Sequence, residues 1–316
     1  MNIRTKQMKT AMCMLIAGCW LVGAHAQSPE PEPVVDAPAL AANSAQDSAA
    51  FANSLLWEIT GKGLKQASYL YGTIHIIPKD SFFILPEVEQ GMAAASRLVL
   101  EVALDGSAIF ASAMGMMMMP PASLSSLLGP EDYGYLKRFM QDSLPTPLPM
   151  FQMIKPIFIA QHISSSYCMA QEGTSYELYF MEAFQKMKKP VSGLETAKEQ
   201  MGYLDAISLE EQAQSLMETV RNPRIACQQY DEMVRMYRAQ DLTRLAAFTQ
   251  EDPDIGDHLD KLLDERNFNW ISKIEEMAAR ECVFIAVGAG HLPGPNGVVE
   301  LLRKQGYMLK PLPGKQ

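Results

Sequence analysis

The chain has 316 residues, 48% of them hydrophobic and 20% charged, with 36 acidic against 27 basic side chains for a formal net charge of −9. That acidity argues against nucleic acid or an anionic membrane surface as the main partner. The length suits one large α/β domain better than two small ones.

Residues 1–26 read as a secretory signal. Arg4, Lys6 and Lys9 make a basic start, Ala11 to Gly23 is almost wholly apolar, and Ala24-His25-Ala26 has the small-x-small form of a cleavage site. The apolar run is too short for a comfortable membrane span. A rival reading takes Ile16-Ala17-Gly18-Cys19 as a lipobox that would anchor the chain through Cys19, but the greasy Trp20-Leu21-Val22 behind it favours the soluble product. Either product is exported, to the periplasm or beyond. Cleavage removes three basic residues and no acidic one, leaving 24 against 36 and a net charge of −12. Cys168, Cys227 and Cys282 survive it, and an exported protein can pair two of them, though the sequence does not say which. They show neither a CxxC nor a zinc-ribbon spacing, so a cysteine metal site is not expected.

Residues 27–52 are rich in Pro, Ala, Ser and acid without a hydrophobic period, as a flexible tether would be; residues 53–313 follow as a single domain. "SLLWEIT" and "ASYLYGTIHI" flank "GKGLKQ" as an opening β-hairpin. Pro86 to Ala95 predicts a short helix. "RLVLEVAL" is the continuous apolar run of a strand buried on both faces. A long helical region is expected from about Ile109 to Lys188. "PVSGLE" predicts a short strand, and Thr196 with Glu199 forms a capping box that opens the next helix. Helical pattern continues to about Ala279, and the chain closes with strand "CVFIAVGAGHL", a helix through "NGVVELLRKQ" and a strand near "YMLKPL". The expected class is α/β (α+β): a mixed central sheet built from N- and C-terminal strands, flanked by helices, with a helical middle segment.

Two of the five histidines stand in matching places. "YLYGTIHIIP" and "VFIAVGAGHLP" each run an apolar strand into a glycine, two small or apolar residues and then His75 or His291. Ligands of open α/β sheets bind at strand ends, so the two rings are candidates for one pocket. By strand alternation Gly72 and Gly288 lie behind the histidine face, whereas Thr73 and Ala289 share it and leave room in front of the imidazoles. Glu101 interrupts "LVLEVAL", where an unpaired buried carboxylate costs several kcal/mol unless protonated, ion-paired or metal-bound. Arg266 falls on the apolar stripe of Leu259, Leu262, Leu263, Trp270, Ile274 and Met277, where a guanidinium wants a carboxylate or an anionic group. Glu195 ends "VSGLE" as a third carboxylate for the site or as part of the helix start. His162, a turn after Phe158, reads as a half-core residue, and His258 in "DIGDHLDKLLDE" as part of a solvated face. "AMGMMMMPP" invites Cu(I), but consecutive methionines on a helix diverge, which favours an adaptable apolar surface.

"YLYGTIHIIP", "LVLEVAL", "MIKPIFIA", "PVSGLETAKEQ", "LLDERNFNWISKIEEM" and "VFIAVGAGHLPGPNGVVELLRKQGY" together resemble the TraB/GumN family, which includes the eukaryotic Tiki proteases. The resemblance runs from about Leu56 to Leu312 and rests on the paired GxxH motifs with a buried Glu and Glu-Arg-Asn between them. It implies a fold like that of the erythromycin esterases and haem-binding ChaN proteins. For the Tiki branch it implies a metal-dependent peptidase using both histidines and a glutamate, with manganese or cobalt as metal. In one departure, "GTSYEL" stands where the family leads one to expect an aspartate after glycine.

The leading expectation is therefore an exported metal-dependent hydrolase acting on a peptide or small-molecule substrate. His75 and His291 would bind manganese, cobalt or zinc as neutral imidazoles, Glu101 would be third ligand or general base, and Arg266 would stabilise an oxyanion or hold Glu101, with Glu195 nearby. The competing readings are a metal-independent, esterase-like hydrolase in which histidine activates water, and a haem- or peptide-binding protein without turnover.

Overall fold

A computed structural model describes residues 53–103, 115, 117–144, 148–169, 172–252 and 256–312. The leader, Cys19 and the tether lie outside the described residues, as does the expected helix start at Ile109.

The opening hairpin forms as its sequence predicts. Strands β1 (Leu56–Gly61) and β2 (Ser68–Thr73) pair antiparallel, Leu56 opposite Tyr71. The turn between them uses left-handed backbone at Gly61, Lys62 and Gly63. A two-residue strand β3 (Ile77–Pro78) and helix α1 (Pro86–Ala94) lead into β4 (Arg97–Val102). The expected single helical region breaks into α2 (Leu124–Leu127), α3 (Pro130–Ser143), α4 (Pro156–Cys168) and α5 (Tyr176–Lys186). Pro130 and Pro156 each sit at the first helical turn, where a missing N–H costs nothing, so each proline starts a new helix rather than interrupting one. Between α4 and α5 a strand too short to carry a period, β5 (Gly173–Thr174), pairs antiparallel with β3.

Strand β6 (Val191–Glu195) meets the Thr196/Glu199 capping box of α6 (Ala197–Leu204). Helices α7 (Leu209–Arg221), α8 (Pro223–Arg238) and α9 (Leu242–Gln250) follow. A π-helical turn at Asp260–Asp264 then runs directly into α10 (Glu265–Arg280). The chain ends with β7 (Val283–Gly288), α11 (Val298–Lys304) and β8 (Tyr307–Pro311).

The sheet is mixed, in the order β6-β4-β7-β2-β1-β8. β6, β4, β7 and β2 run parallel, and β1 and β8 run antiparallel at one side. Parallel strands finish at the same edge, and the register is close: Thr73 pairs with Gly288, and Val102 with Glu195. That edge receives the residues following each strand. The core packs on the sheet through Leu70, Leu98, Leu100, Phe284 and Trp270, among others, while a second cluster of Leu136, Met140, Ile163 and Leu216 fills the helical layer. The methionine run does not continue as the expected helix: Met118 forms an antiparallel bridge with Ile154, and successive side chains alternate between core and surface as extended chain requires. Met117 packs with Phe158 and Met201, Met119 joins the helical cluster, and Met118 faces outward. No helix among the described residues is long and apolar enough to cross a membrane.

Cys168 at the end of α4 is bonded to Cys227 on α8, and Cys282 is a buried free thiol. The bridge closes a separation of 59 residues, for which chain entropy gives a stabilisation of roughly 4 kcal/mol. The Cys168→Ser/Cys227→Ser variant should therefore unfold at distinctly lower urea than the wild type. Coincident urea midpoints under non-reducing conditions would show that the bridge adds nothing to stability.

Candidate active site

The centre of the site is a buried guanidinium. Arg266 lies on the first turn of α10, and each of its five N–H groups has an acceptor. Nη2 donates to Glu101 Oε2 at 2.5 Å and to Glu195 Oε1 at 2.8 Å, Nε to Glu195 Oε1 at 3.1 Å, Nη1 to the Leu262 carbonyl at 2.9 Å and to His291 Nε2 at 3.1 Å. With Nε also 3.3 Å from Glu195 Oε2, five donors make six contacts and leave the charge compensated, as a guanidinium requires when only 8% exposed. It also lies 4.9 Å from the Trp270 ring centre, and Trp270 Nε1 donates to Glu195 Oε2 at 3.1 Å.

Glu101 is held on both oxygens: Oε2 also accepts from Gln200 Nε2 at 2.9 Å, and Oε1 accepts the Gly288 N–H at 2.8 Å. Burial works against its charge, but Arg266, the two histidines and that N–H outweigh it and hold the carboxyl far below the usual carboxylate range. Glu195 shares the same guanidinium. Burial, joined by the neighbouring Glu101 charge, leaves its pKa raised. One cation does not fully offset two buried anions.

The two histidines differ. His291 is buried and stacks 4.4 Å from Trp270. Because Arg266 Nη1 only donates, His291 Nε2 is the acceptor, so Nδ1–H donates to Asn267 Oδ1 at 2.7 Å. The amide of Asn267 is fixed in that orientation by Nδ2, which donates to the Asn296 carbonyl at 2.9 Å. Burial, then the Arg266 charge, lowers the His291 pKa to about 3. His75 has a side chain 43% exposed, and its Nδ1 lies 3.2 Å from Glu177 Oε1. Burial opposes its charged form, but the Glu177 hydrogen bond and charge, with Glu101 beyond, prevail and raise its pKa. The loop carrying His75 is braced from α8, where Tyr237 donates to the Gly72 carbonyl at 2.9 Å and Tyr230 to the Ile76 carbonyl at 3.2 Å.

These groups converge on a position without a side chain. A Cβ at Gly288 would lie 3.3 Å from Glu101 Oε1, 3.5 Å from His291 Cδ2 and 3.9 Å from His75 Nε2. The strand-alternation reading is corrected here. Gly72 does lie behind, its missing Cβ 3.1 Å from Ala289 Cα and Leu292 Cδ2, but Gly288 lines the site. Ala289 packs on Gly72 instead of opening space before the imidazole. The reason is local: β7 stops at Gly288, and Ala289–His291 form a 3₁₀ turn, so two-residue parity no longer applies.

His75, Glu101, Glu195, Arg266 and His291 thus stand at one sheet edge, with Glu177, Gln200, Asn267 and Trp270 as partners that sequence reasoning did not single out. Asn267 follows Arg266 in the quoted Glu-Arg-Asn, and Glu177 sits inside the segment noted only for its missing aspartate. His162 is elsewhere. It is buried against Phe151, ring centres 5.1 Å apart, with a pKa lowered by burial to about 4. His258 lies 3.7 Å from the exposed Glu211.

The TraB/PrgY/gumN family model matches residues 55–311. The chain belongs to that family. The metalloprotease TIKI1 of Danio rerio is 23% identical over 319 aligned residues, covering 84% of this chain. The chain spans 64% of that relative's length. No solved structure matches.

Set against a metal, this family member's site fits in donor type. His75 and His291 offer imidazole nitrogen, Glu101 offers carboxylate, and the bare Gly288 position leaves space between them. Three carboxylates against one guanidinium leave two negative charges for a divalent cation to offset. Among the described residues, however, no three His, Cys, Asp or Glu side chains stand as a ready-made cage, and Arg266 engages His291 Nε2.

Removing the guanidinium strands two buried carboxylates. Arg266→Met should cost about 3–5 kcal/mol in chemical denaturation, and Arg266→Lys should recover only part of it, since three donors replace five. A loss under about 1 kcal/mol for Arg266→Met would mean that the network is solvated rather than buried.

Proposed function

We propose that this chain is an exported metal-dependent hydrolase that cleaves peptide bonds, with His75, His291 and Glu101 as its cation ligands. The observation that carries the reading is the convergence of two imidazoles and one carboxylate on the side-chain-free Gly288 position, at the C-terminal edge of the parallel strands. The name of the relative, a metalloprotease, supports the choice of reaction. The Cys168–Cys227 bridge supports export, since such bonds persist in oxidising compartments.

A divalent cation bound there supplies Lewis acidity towards a substrate carbonyl and towards water. Manganese, cobalt and zinc all suit a nitrogen-and-carboxylate donor set. The chain's own residues do the rest. His291 stays neutral at any working pH, locked by Asn267 into the tautomer that leaves Nε2 unprotonated. Glu101 stays ionised beside Arg266 and presents Oε1 to the opening. Arg266 has no N–H to spare, so it acts by holding Glu101 and Glu195 rather than by meeting an oxyanion directly. His75, half-exposed at the mouth, is the ring that meets solvent and substrate first.

The same contacts also favour one competing reading. With Arg266 bonded to His291 and Glu101, and His75 backed by Glu177, the site is complete as an acid–base device without a cation. Activity that survives exhaustive chelation would select that route.

The deciding experiment loads the protein with Mn²⁺, Co²⁺ or Zn²⁺, desalts it, and measures retained metal by mass spectrometry beside His75→Ala/His291→Ala. Near-stoichiometric metal that is lost in the double variant is expected, and negligible metal in both would overturn the ligand assignment. Binding should also depend on pH in one direction. A proton on His75 competes with a cation, and its pKa is raised from 6.5. Affinity for Co²⁺ by calorimetry should therefore fall already on going from about pH 8 to about pH 6. His291, lowered to about 3, contributes nothing in that range. A flat profile would remove His75 from the ligand set.

A further inference from the structure

The two GxxH histidines are held by chemically different partners, and one of those partners belongs to no motif. Glu177 stands two residues into α5, 4% exposed, and its carboxylate turns back towards the sheet. Oε1 accepts from Thr73 Oγ1 at 2.5 Å and lies 3.2 Å from His75 Nδ1, while Oε2 accepts from Ser175 Oγ at 2.7 Å. Thr73 ends β2, two residues before His75, and Ser175 is the N-cap of α5, so the carboxylate ties the histidine loop to the helix start. The short β3–β5 ladder makes this meeting geometrically necessary. Ile77 pairs with Thr174, so the chain before Ile77 runs alongside the chain after Thr174.

We infer that Glu177 is the positioning residue of His75. It fixes the imidazole with its proton on Nδ1 and leaves the Nε2 lone pair facing the Gly288 opening; Asn267 holds the His291 Nδ1–H in the same way, but there Nε2 is engaged by Arg266. The chemistry is forced by donor and acceptor identity. Thr73 and Ser175 hydroxyls already donate to the carboxylate, which has only lone pairs to offer, so the His75 Nδ1 contact is a bond that the ring donates. The hydrogen bond made by one ring nitrogen decides which nitrogen is left bare. A first-turn acid that served only the helix dipole would point along α5 into solvent. This one is buried and spends both oxygens on the histidine loop and the cap.

The segment "GTSYEL" thereby gains a function. Its one carboxylate, Glu177, is turned onto the histidine loop. The inference rests on His75 being a site residue. It does not depend on peptide cleavage or on any cation, because the tautomer is a property of the unloaded protein.

The test is ¹⁵N-histidine NMR on the protein purified after export, without added metal, using long-range ¹H–¹⁵N correlations that separate Nδ1–H from Nε2–H rings. His75→Ala assigns the signal. The wild type should show His75 in the Nδ1–H form. Glu177→Leu should shift the tautomer ratio about tenfold towards the Nε2–H form, as expected for loss of a charge-assisted hydrogen bond. Glu177→Gln, which keeps an acceptor oxygen, should retain the wild-type form, and the His291 signal should not move in either variant. If Glu177→Leu fails to fold, Glu177→Met takes its place with the same expected shift towards the Nε2–H form, and an unchanged tautomer there counts equally against the proposal. A wild-type His75 in the Nε2–H form overturns the proposal, and so does an unchanged tautomer in folded Glu177→Leu. Absence of peptidase activity in a protein with the expected tautomer would reject the hydrolase reading alone.

Discussion

A guanidinium almost wholly shut off from solvent dictates most of what surrounds it. Arg266 must find five acceptors inside the protein, and it finds them on three separate strand ends or their extensions and on its own helix: Glu101 from β4, Glu195 from β6, His291 after β7 and the Leu262 carbonyl. The π turn at Asp260–Asp264 lies immediately before it and is where that carbonyl is presented. Irregular helical turns of this kind occur frequently at functional sites. Stability alone does not call for the pairing, since hydrophobic replacements of buried ion pairs are often neutral or stabilising. Its retention here has a ready physical purpose: it fixes two carboxylates and one imidazole relative to one another.

The sheet makes that convergence inexpensive in chain geometry. β7 enters between β4 and β2 from far along the sequence, and all three run parallel with β6. Four strand ends therefore meet at one edge without any strand being bent to reach it. Gly72 lets the Ala289 turn pack within about a van der Waals contact of β2, which sets how closely the two GxxH segments approach. Gly288 does the opposite job on the other side, keeping a side chain out of the space that Glu101, His291 and His75 face.

Much of this is legible in the sequence. The hairpin, the buried β4, the Thr196 capping box and the closing strand–helix–strand follow from period and caps. Glu101 and Arg266 were conspicuous because each placed a charge in an apolar pattern, and such charges must be paired. What stayed hidden was non-local or too short to have a period. Glu177 meets His75 across 102 residues through a two-residue ladder, and an acid in a first helical turn is the commonest of placements. The Cys168–Cys227 pairing depends on how α4 lies against α8. Gly288 was misassigned because parity was carried past the end of a strand into a 3₁₀ turn.

The repeated motif also conceals a division of labour that follows from charge. His291 is dry and lies beside Arg266, Glu101 and Glu195, so a third carboxylate on its Nδ1 would add a buried anion to a cation already shared by two. The neutral Asn267 amide orients the ring without that cost. His75 is half-exposed, so its charged form keeps contact with water, and the buried carboxylate behind it is anchored by two hydroxyls; Glu177 can therefore raise the basicity of the ring as well as orient it. Two identical four-residue patterns therefore yield one ring that resists protonation and one that invites it. The difference is set by which side of the sheet edge water reaches.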